Sequence, residues 1–201
     1  MARYTGPRTK VSRRARQLLD ENKAKYFDRR PYPPGEHGRG RIRESLYQIQ
    51  LREKQKLRFI YGVLEKQFRR YYKEASRQGG IAGENLMVIL ETRLDNVVYR
   101  SGLAATRPQA RQLVNHGHFQ VNGKKVDICS FQVSAGDVVT TKERSRNALP
   151  IQHSVDTIDR VAPEWMTVDK MDRKIAIDAM PTREQIDTDI KEQLIVELYS
   201  K

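Results

Sequence analysis

The chain has 201 residues, of which 38 are Lys or Arg and 25 are Asp or Glu, for a formal net charge of +13. That length allows one large domain or two small ones around a modest core, and an apolar share of only 38% implies that part of the chain orders against a partner. Apolar runs stay well short of the roughly 18 residues of a membrane span, the basic N-terminus lacks the apolar segment of a secretory signal, and a single cysteine, Cys129, excludes an internal disulfide.

The charge is unevenly placed. Residues 1–43 carry 13 Lys or Arg against 4 Asp or Glu, and residues 92–150 carry 9 against 4. Residues 151–201 reverse the sign, with 7 against 11. A basic arm and a basic middle of this kind face a polyanion, and nucleic acid is the first expectation.

In chain order, residues 1–43 are rich in Pro and Gly and read as an extended arm ordered by RNA. One short helix is expected from Val11 to Leu19, with Arg13, Arg14 and Arg16 on its surface. Tyr32-Pro33-Pro34-Gly35-Glu36-His37-Gly38 is turn chemistry, because Pro fixes φ and Gly supplies positive φ. Arg3, Arg8 and Lys10 join the three helical arginines as candidate phosphate contacts. Tyr4, Tyr26 and Tyr32 are the arm's candidates for stacking on bases, since nothing nearby offers them a core.

Helices follow. Ser45 and Gln48 form a capping box for a helix from Leu46 to about Arg58, which carries the candidate RNA contacts Arg52, Lys54 and Lys56. A second helix bears Leu64, Phe68, Tyr71/Tyr72 and Ala75 on one stripe, with Arg69 and Arg70 beside it, and ends at Gly79-Gly80. Its spacing turns at least one of the two tyrosines into the core. A third begins near Glu84 and carries Leu86, Ile89 and Leu90. Three short helices bury little, so a fourth is expected from the C-terminus, where Asp189 and Glu192 read as a capping pair ahead of Leu194, Ile195 and Leu198.

From Thr92 the pattern changes. A helix carries Leu94, Val97 and Val98 and stops at Gly102. Thr106 caps the next, with Gln109 completing the box and Pro108 in the tolerant first turn; Ala110, Leu113 and Val114 point inward and Gly117 ends it. Phe119 and Val121 alternate into Asn122-Gly123, a strong hairpin signal, and Val126 and Ile128 alternate back out. Cys129 reads as a small buried hydrophobe at a strand or its edge. Val133, and Val138 with Val139 after the turn at Ser134–Asp137, suggest two more strands. Trp165–Val168 and Lys174–Ile177 suggest a further two.

The expected fold class is α+β: a small helical domain interrupted by an inserted helix-helix-hairpin RNA-binding module, with a basic extended N-terminal arm. The expected boundaries are 1–43 for the arm and 44–91 for the helical domain, completed by a C-terminal helix near 189–200. They continue as 92–157 for the module and 158–201 for acidic strands and that last helix.

The module concentrates the binding chemistry. Arg93, Arg100, Arg107 and Arg111 lie at positions its apolar stripe leaves open, with Gln109 and Gln112 beside them. Asn115, His116 and His118 form the connection to the hairpin, and Lys124 and Lys125 follow its turn. Such groups grip phosphates and set affinity and register without carrying a base code. Walker loops, dinucleotide glycine fingerprints, nucleophile elbows and metal-binding histidine pairs are all missing. Neither an enzyme nor a cofactor is expected.

Three stretches carry a resemblance. Arg93-Leu94-Asp95-Asn96-Val97-Val98-Tyr99-Arg100, Thr106-Arg107-Pro108-Gln109-Ala110-Arg111-Gln112-Leu113-Val114 and Gly117-His118-Phe119-Gln120-Val121-Asn122-Gly123 resemble the family of bacterial small-ribosomal-subunit protein four. The likeness extends to Gln50–Lys56, Tyr61–Arg69, Met1–Pro7 and Glu197–Lys201, and so spans nearly the whole chain. The module alone also recurs in RNA-modifying enzymes and a tRNA synthetase; the flanks make the likeness specific.

The resemblance implies a cytoplasmic constituent of the ribosome that binds small-subunit ribosomal RNA directly, helps nucleate assembly of the subunit body and touches ribosomal protein five at an interface tied to decoding accuracy. It also implies an arm near the path by which messenger RNA enters, with Arg41 and Arg43 as contacts to the message. Asp156, Asp159, Asp169 and Asp172 then read as a surface for the basic protein neighbour. Many members hold the arm with a cysteine-ligated zinc, but residues 1–43 contain no cysteine and His37 as their one histidine. Tetrahedral zinc needs about four N or S ligands, so this chain resembles the zinc-free variety. Two rivals are an RNA-modifying enzyme, which needs a separate catalytic domain, and a free RNA-binding factor, which lacks arm and helical flank.

Overall fold

The computed structural model describes residues 4–19, 23–40 and 43–200, so that Arg3 and Arg41 lie outside the described residues. The chain divides into two compact units, residues 1–83 with 188–201 and residues 84–187.

In the first unit, α1 spans Arg8–Ala15, three residues earlier than the sequence suggests. Pro7 sets the entry with φ −69°, and Arg16, at φ 56°, ends the helix in the left-handed region. Val11 and Ala15 are its buried face. A second turn of helix, α2 (Ala24–Asp28), was not foreseen, because five residues are too few to show a period. The Tyr32–Gly38 turn closes into a 3-10 segment at Glu36–Arg39. Gly38 is required there: an added Cβ would sit 1.9 Å from the Pro33 carbonyl oxygen.

α3 (Leu46–Ile60) starts where Ser45 Oγ accepts the Gln48 N–H at 3.3 Å. α4 spans Glu65–Ala75 and buries Phe68, Tyr71 and Ala75, while Leu64 is its N-cap and lies exposed. The C-terminal α9 (Glu192–Tyr199) packs on α3, with Ile195 fully buried. Asp189 does not cap it. Lys191 is the N-cap and makes no side-chain cap, and Asp189 instead accepts Gln17 Nε2 at 3.5 Å.

α5 (Ala82–Glu91) carries the chain across the unit boundary. The second unit continues with α6 (Leu94–Arg100), α7 (Arg107–Asn115) and the hairpin β1 (Phe119–Val121) and β2 (Lys124–Lys125). β3 (Val138–Thr141), α8 (Leu149–Thr157), β4 (Met166–Asp169) and β5 (Lys174–Ile177) complete it. The sheet runs β2-β1-β3-β5-β4, with every neighbouring pair antiparallel. Phe119, Val121, Val139, Ile175, Ile177 and Met166 point to one face. They form the core with Leu94, Val97 and Val98 of α6, Ala110, Leu113 and Val114 of α7, Ile151 of α8, and Trp165.

The strands at 166–177 therefore belong to the module's sheet and not to a separate acidic segment. β5 pairs with β3 through Val139↔Ile175, a non-local pairing that periodicity cannot reveal. β2 is also shorter than its alternation suggests. It stops at Lys125, leaving Val126 half-buried and Ile128 exposed. The chain leaves the sheet there because it is needed elsewhere: the carbonyls of Phe131 and Cys129 accept the Leu94 and Asp95 N–H groups, satisfying the free donors at the start of α6. Cys129 is buried in this turn, and Val133 donates to Thr92 outside any strand.

Candidate nucleic-acid interface

α7 is positioned as its sequence dictates. Thr106 Oγ1 accepts the Gln109 N–H at 3.3 Å, Gln109 Oε1 accepts the Ala105 N–H at 2.8 Å, and Pro108 sits in the first turn. Gln109 thus serves the helix start, and its Nε2 also donates to the Pro150 carbonyl at 3.4 Å. The buried face of Ala110, Leu113 and Val114 leaves Arg107, Arg111 and Asn115, four residues apart, along a partly exposed edge, with Gln112 and His116 exposed.

A polar lattice holds the first of these. Arg107 Nε donates to Asn96 Oδ1 at 2.9 Å, and its guanidinium lies 4.2 Å from the centre of the Tyr99 ring. Arg160 covers the same ring at 3.8 Å and donates to the Tyr99 and Ala104 carbonyls. Asn96 in turn donates to the buried Glu91 carboxylate, which also takes Arg100 Nη2 at 2.6 Å. Arg107 is thereby fixed in place, whereas Arg100 is largely committed to Glu91.

Arg93 has to be taken off the surface. It is 1% exposed, and its fork clasps Asp95 through Nε at 3.0 Å and Nη2 at 2.6 Å. A guanidinium enclosed with its counter-ion neutralises a carboxylate at the start of α6 and offers nothing to a phosphate. Arg111 approaches the same carboxylate at 3.8 Å from the rim.

The far end of α7 meets the hairpin. Asn122 and Gly123 both adopt positive φ, 50° and 76°, as a two-residue primed turn requires. Lys124 and Lys125 follow, exposed; Lys124 makes no ion pair among the described residues, and Lys125 reaches Asp127 at 3.3 Å. Gly117, at φ 70°, ends α7, and an added Cβ would stand 2.7 Å from Lys125 Cε. The Lys125 stem therefore lies along the helix end, beside His116 and His118, whose rings are 6.1 Å apart. His118 Nδ1 is 2.9 Å from Ser145 Oγ. Burial, with His116 and Lys142 adding positive charge, pushes its imidazole below the usual histidine range. Lys142 donates its backbone N–H to the His118 carbonyl, and Arg144 is exposed two residues on. Lys142, Arg144 and Arg160 are further basic residues of this unit that the sequence did not single out; only the packing that joins Lys142 to His118 brings the first two beside the hairpin connection.

In the first unit, Arg8, Lys10, Arg14, Arg16, Arg43, Arg69 and Arg70 are exposed. Arg52, Lys54 and Lys56 are half-buried and already serve carboxylates. Arg52 and Arg16 share Glu44, the Arg52 hydrogen bond holding that carboxyl below its usual range. Lys54 and Arg58 share Glu65, and Lys56 reaches the buried Glu53 at 2.7 Å. The arm's tyrosines part ways. Tyr4 packs edge-on against the half-buried Phe59 at 5.0 Å and is itself exposed. Tyr32 lies under the guanidiniums of Arg13 (5.2 Å) and Arg39 (4.9 Å). Tyr26 is the most exposed of the three, at 57%. Tyr71 is core, and Tyr72 stacks on Tyr199 at 4.5 Å.

The four aspartates are all exposed but not equivalent. Asp169 Oδ1 accepts the N–H groups of Met171 and Asp172 and so shapes the β4–β5 turn. Asp172 pairs with Arg146 at 2.9 Å. Asp159 reaches Lys170 only at 3.7 Å, and Asp156 makes no ion pair among the described residues. Among the described residues no group of three or more His, Cys, Asp or Glu side chains could hold a metal, and no helix is long and apolar enough to cross a membrane.

A helix-helix-hairpin module on an antiparallel sheet, with basic side chains along one helix edge and at the hairpin, defines the class: an α+β RNA-binding protein. Family profiles agree: residues 3–91 match the ribosomal protein S4/S9 N-terminal domain and residues 92–139 the S4 domain. The chain is 59% identical over the whole of both chains to small ribosomal subunit protein uS4 of Nocardia farcinica, and 58% identical, again over both whole chains, to those of Cutibacterium acnes and Mycolicibacterium smegmatis. It belongs to the family of small ribosomal subunit protein uS4, whose members are structural proteins and not enzymes.

Proposed function

We propose that the chain is a structural constituent of the small ribosomal subunit, that it binds small-subunit ribosomal RNA directly, and that it helps nucleate assembly of the subunit body. The observation that carries this is the edge of α7, where Arg107 is locked by Asn96 and Tyr99 and the row of Arg107, Arg111 and Asn115 runs on to Lys125 at the helix end. Preset cations at fixed spacing lose little freedom on meeting a phosphate row, which favours shape and backbone recognition over base reading.

The same reading gives ribosomal protein five as a neighbour tied to decoding accuracy, messenger RNA at the path by which it enters beside Arg43, and the cytoplasm as the compartment. For the protein neighbour, Asp156 and Asp159 are the informative side chains, since Asp169 shapes its own turn. Charge reversal at both should weaken capture of ribosomal protein five at least severalfold in a pull-down, and unchanged capture removes that assignment. For the function itself, ribosomes from cells expressing a tagged chain are sedimented through high salt. An integral constituent stays with the small subunits in stoichiometric amount; a chain that washes to the top of the gradient is a transient factor.

A further inference from the structure

Between α1 and the end of α2 lies a cavity of about 290 Å³ lined by Thr9, Arg13, Tyr26, Arg29 and Arg30. We propose that it is a nucleotide subsite, in which Arg13, Arg29 and Arg30 hold the phosphate of one unpaired residue of an RNA strand and Tyr26 takes its base. This rests on the RNA-binding reading above and names a site within it.

Four observations point there. First, three guanidiniums share one small concavity, and Arg29 and Arg30 are exposed without an ion pair or side-chain hydrogen bond among the described residues. No carboxylate is among the five lining residues; arginines gathered in this way repel one another, and a phosphate relieves that repulsion with several charge-assisted bonds. Second, Arg13 is already aimed: its Nε donates to the Tyr32 carbonyl at 3.0 Å and its plane lies over the Tyr32 ring, so ordering it costs a ligand little. Third, the Tyr26 ring is 57% exposed, with no aromatic partner among the described residues and Lys23 Nζ 5.8 Å from its centre. An exposed phenol ring on the wall of a cationic cavity suits a base, because every base has a π-face. Fourth, the exposed Lys10, Arg14 and Lys25 lie on the same two helices. They supply cations for the flanking phosphates, which favours a strand over a free mononucleotide.

The test uses the full chain and a tetranucleotide of adenylate, irradiated at short wavelength, with labelled peptides mapped by mass spectrometry. The expected label is on Tyr26. R29A/R30A should abolish it and lower the salt slope of tetranucleotide binding by about 0.7 for each arginine. Y26L should weaken binding by roughly five- to a hundredfold, while Y26F keeps it. The tetranucleotide should compete at least tenfold better than adenosine 5′-monophosphate. Label absent from Tyr26, or indifferent to R29A/R30A, overturns the subsite, and equal competition by the mononucleotide reassigns it to a free nucleotide. Binding of Y26L/R29A/R30A to small-subunit ribosomal RNA at full strength, with loss on Arg107→Ala, sinks the subsite and leaves the RNA-binding function standing; no binding by the unmodified chain sinks both.

Discussion

Arg93 and Arg107 carry the same side chain in the same module, and their surroundings give them opposite uses. Arg93 is enclosed with Asp95, so removing it strands a buried carboxylate. Arg93→Ala should cost about 3–5 kcal/mol in urea unfolding of the full chain; a loss under about 1 kcal/mol would mean that the pair is solvated. Arg107 is held at the rim by Asn96 and Tyr99, and Lys124 stands in water. Arg107→Ala and Lys124→Ala should each lower the salt slope of RNA binding by about one, and Lys124→Ala should leave stability within about 0.5 kcal/mol. The sequence makes the basic excess visible and hides its division of labour. A clue was present at Arg93, since a carboxylate two residues on, at the start of a helix, is placed to fold back on it. For Arg100 and Gln109 the sorting depends on Glu91 and Pro150, which only packing brings near.

Elements with local rules were legible. The Ser45 and Thr106 caps and the Asn122-Gly123 turn each rest on contacts within a few residues, and each forms. Where a rule needs distant partners the sequence fell short: β2 ends early because its continuation caps α6, and β5 pairs with β3 across 36 residues of chain, as Val139↔Ile175. The C-terminal α9 was legible as a helix but not in its start, because Asp189 turns to Gln17. Tyr199 on α9 donates to Glu65 on α4 at 2.9 Å. Burial would raise the Glu65 carboxyl, but hydrogen bonds from Lys54 and Tyr199 outweigh it and hold the carboxyl below its usual 4.5. A carboxyl lowered by folding adds stability that is complete above its unfolded value and lost as pH falls through the folded one. The stability of the chain should therefore decline below about pH 4.5, and Tyr199→Phe should flatten that decline. An unchanged acid limb in the variant would show that the bond is not felt in solution. Burial and then Glu65 also raise the Tyr199 phenol well above the usual tyrosine value, so Tyr199 remains a donor across the physiological range.

Across the whole molecule, the helical unit gathers two stretches far apart in sequence, 1–83 and 188–201, and the unit between them holds the sheet. The apolar stripe of the C-terminal helix predicts the return of that helix to the helices of 44–91. The helix packs on α3, but the unit it joins ends at residue 83 and 84–91 fall in the other unit. The common sheet of 119–141 and 166–177 was not foreseen. The arm's candidate subsite was equally hidden, since Arg29 and Arg30 belong to no periodic pattern and become a cluster only once α1 and α2 meet. Without cysteine in residues 1–43, the arm should order through its turns and RNA. Elemental analysis of the purified full chain should find less than about a tenth of an equivalent of zinc, whereas a full equivalent would contradict a zinc-free arm. Preset cations that grip an RNA backbone are tested most directly by equilibrium binding of the full chain to small-subunit ribosomal RNA as salt is raised from about 50 to 200 mM. With six to ten phosphates contacted, affinity should fall roughly 10³- to 10⁵-fold; an affinity that barely changes over that range would contradict the account.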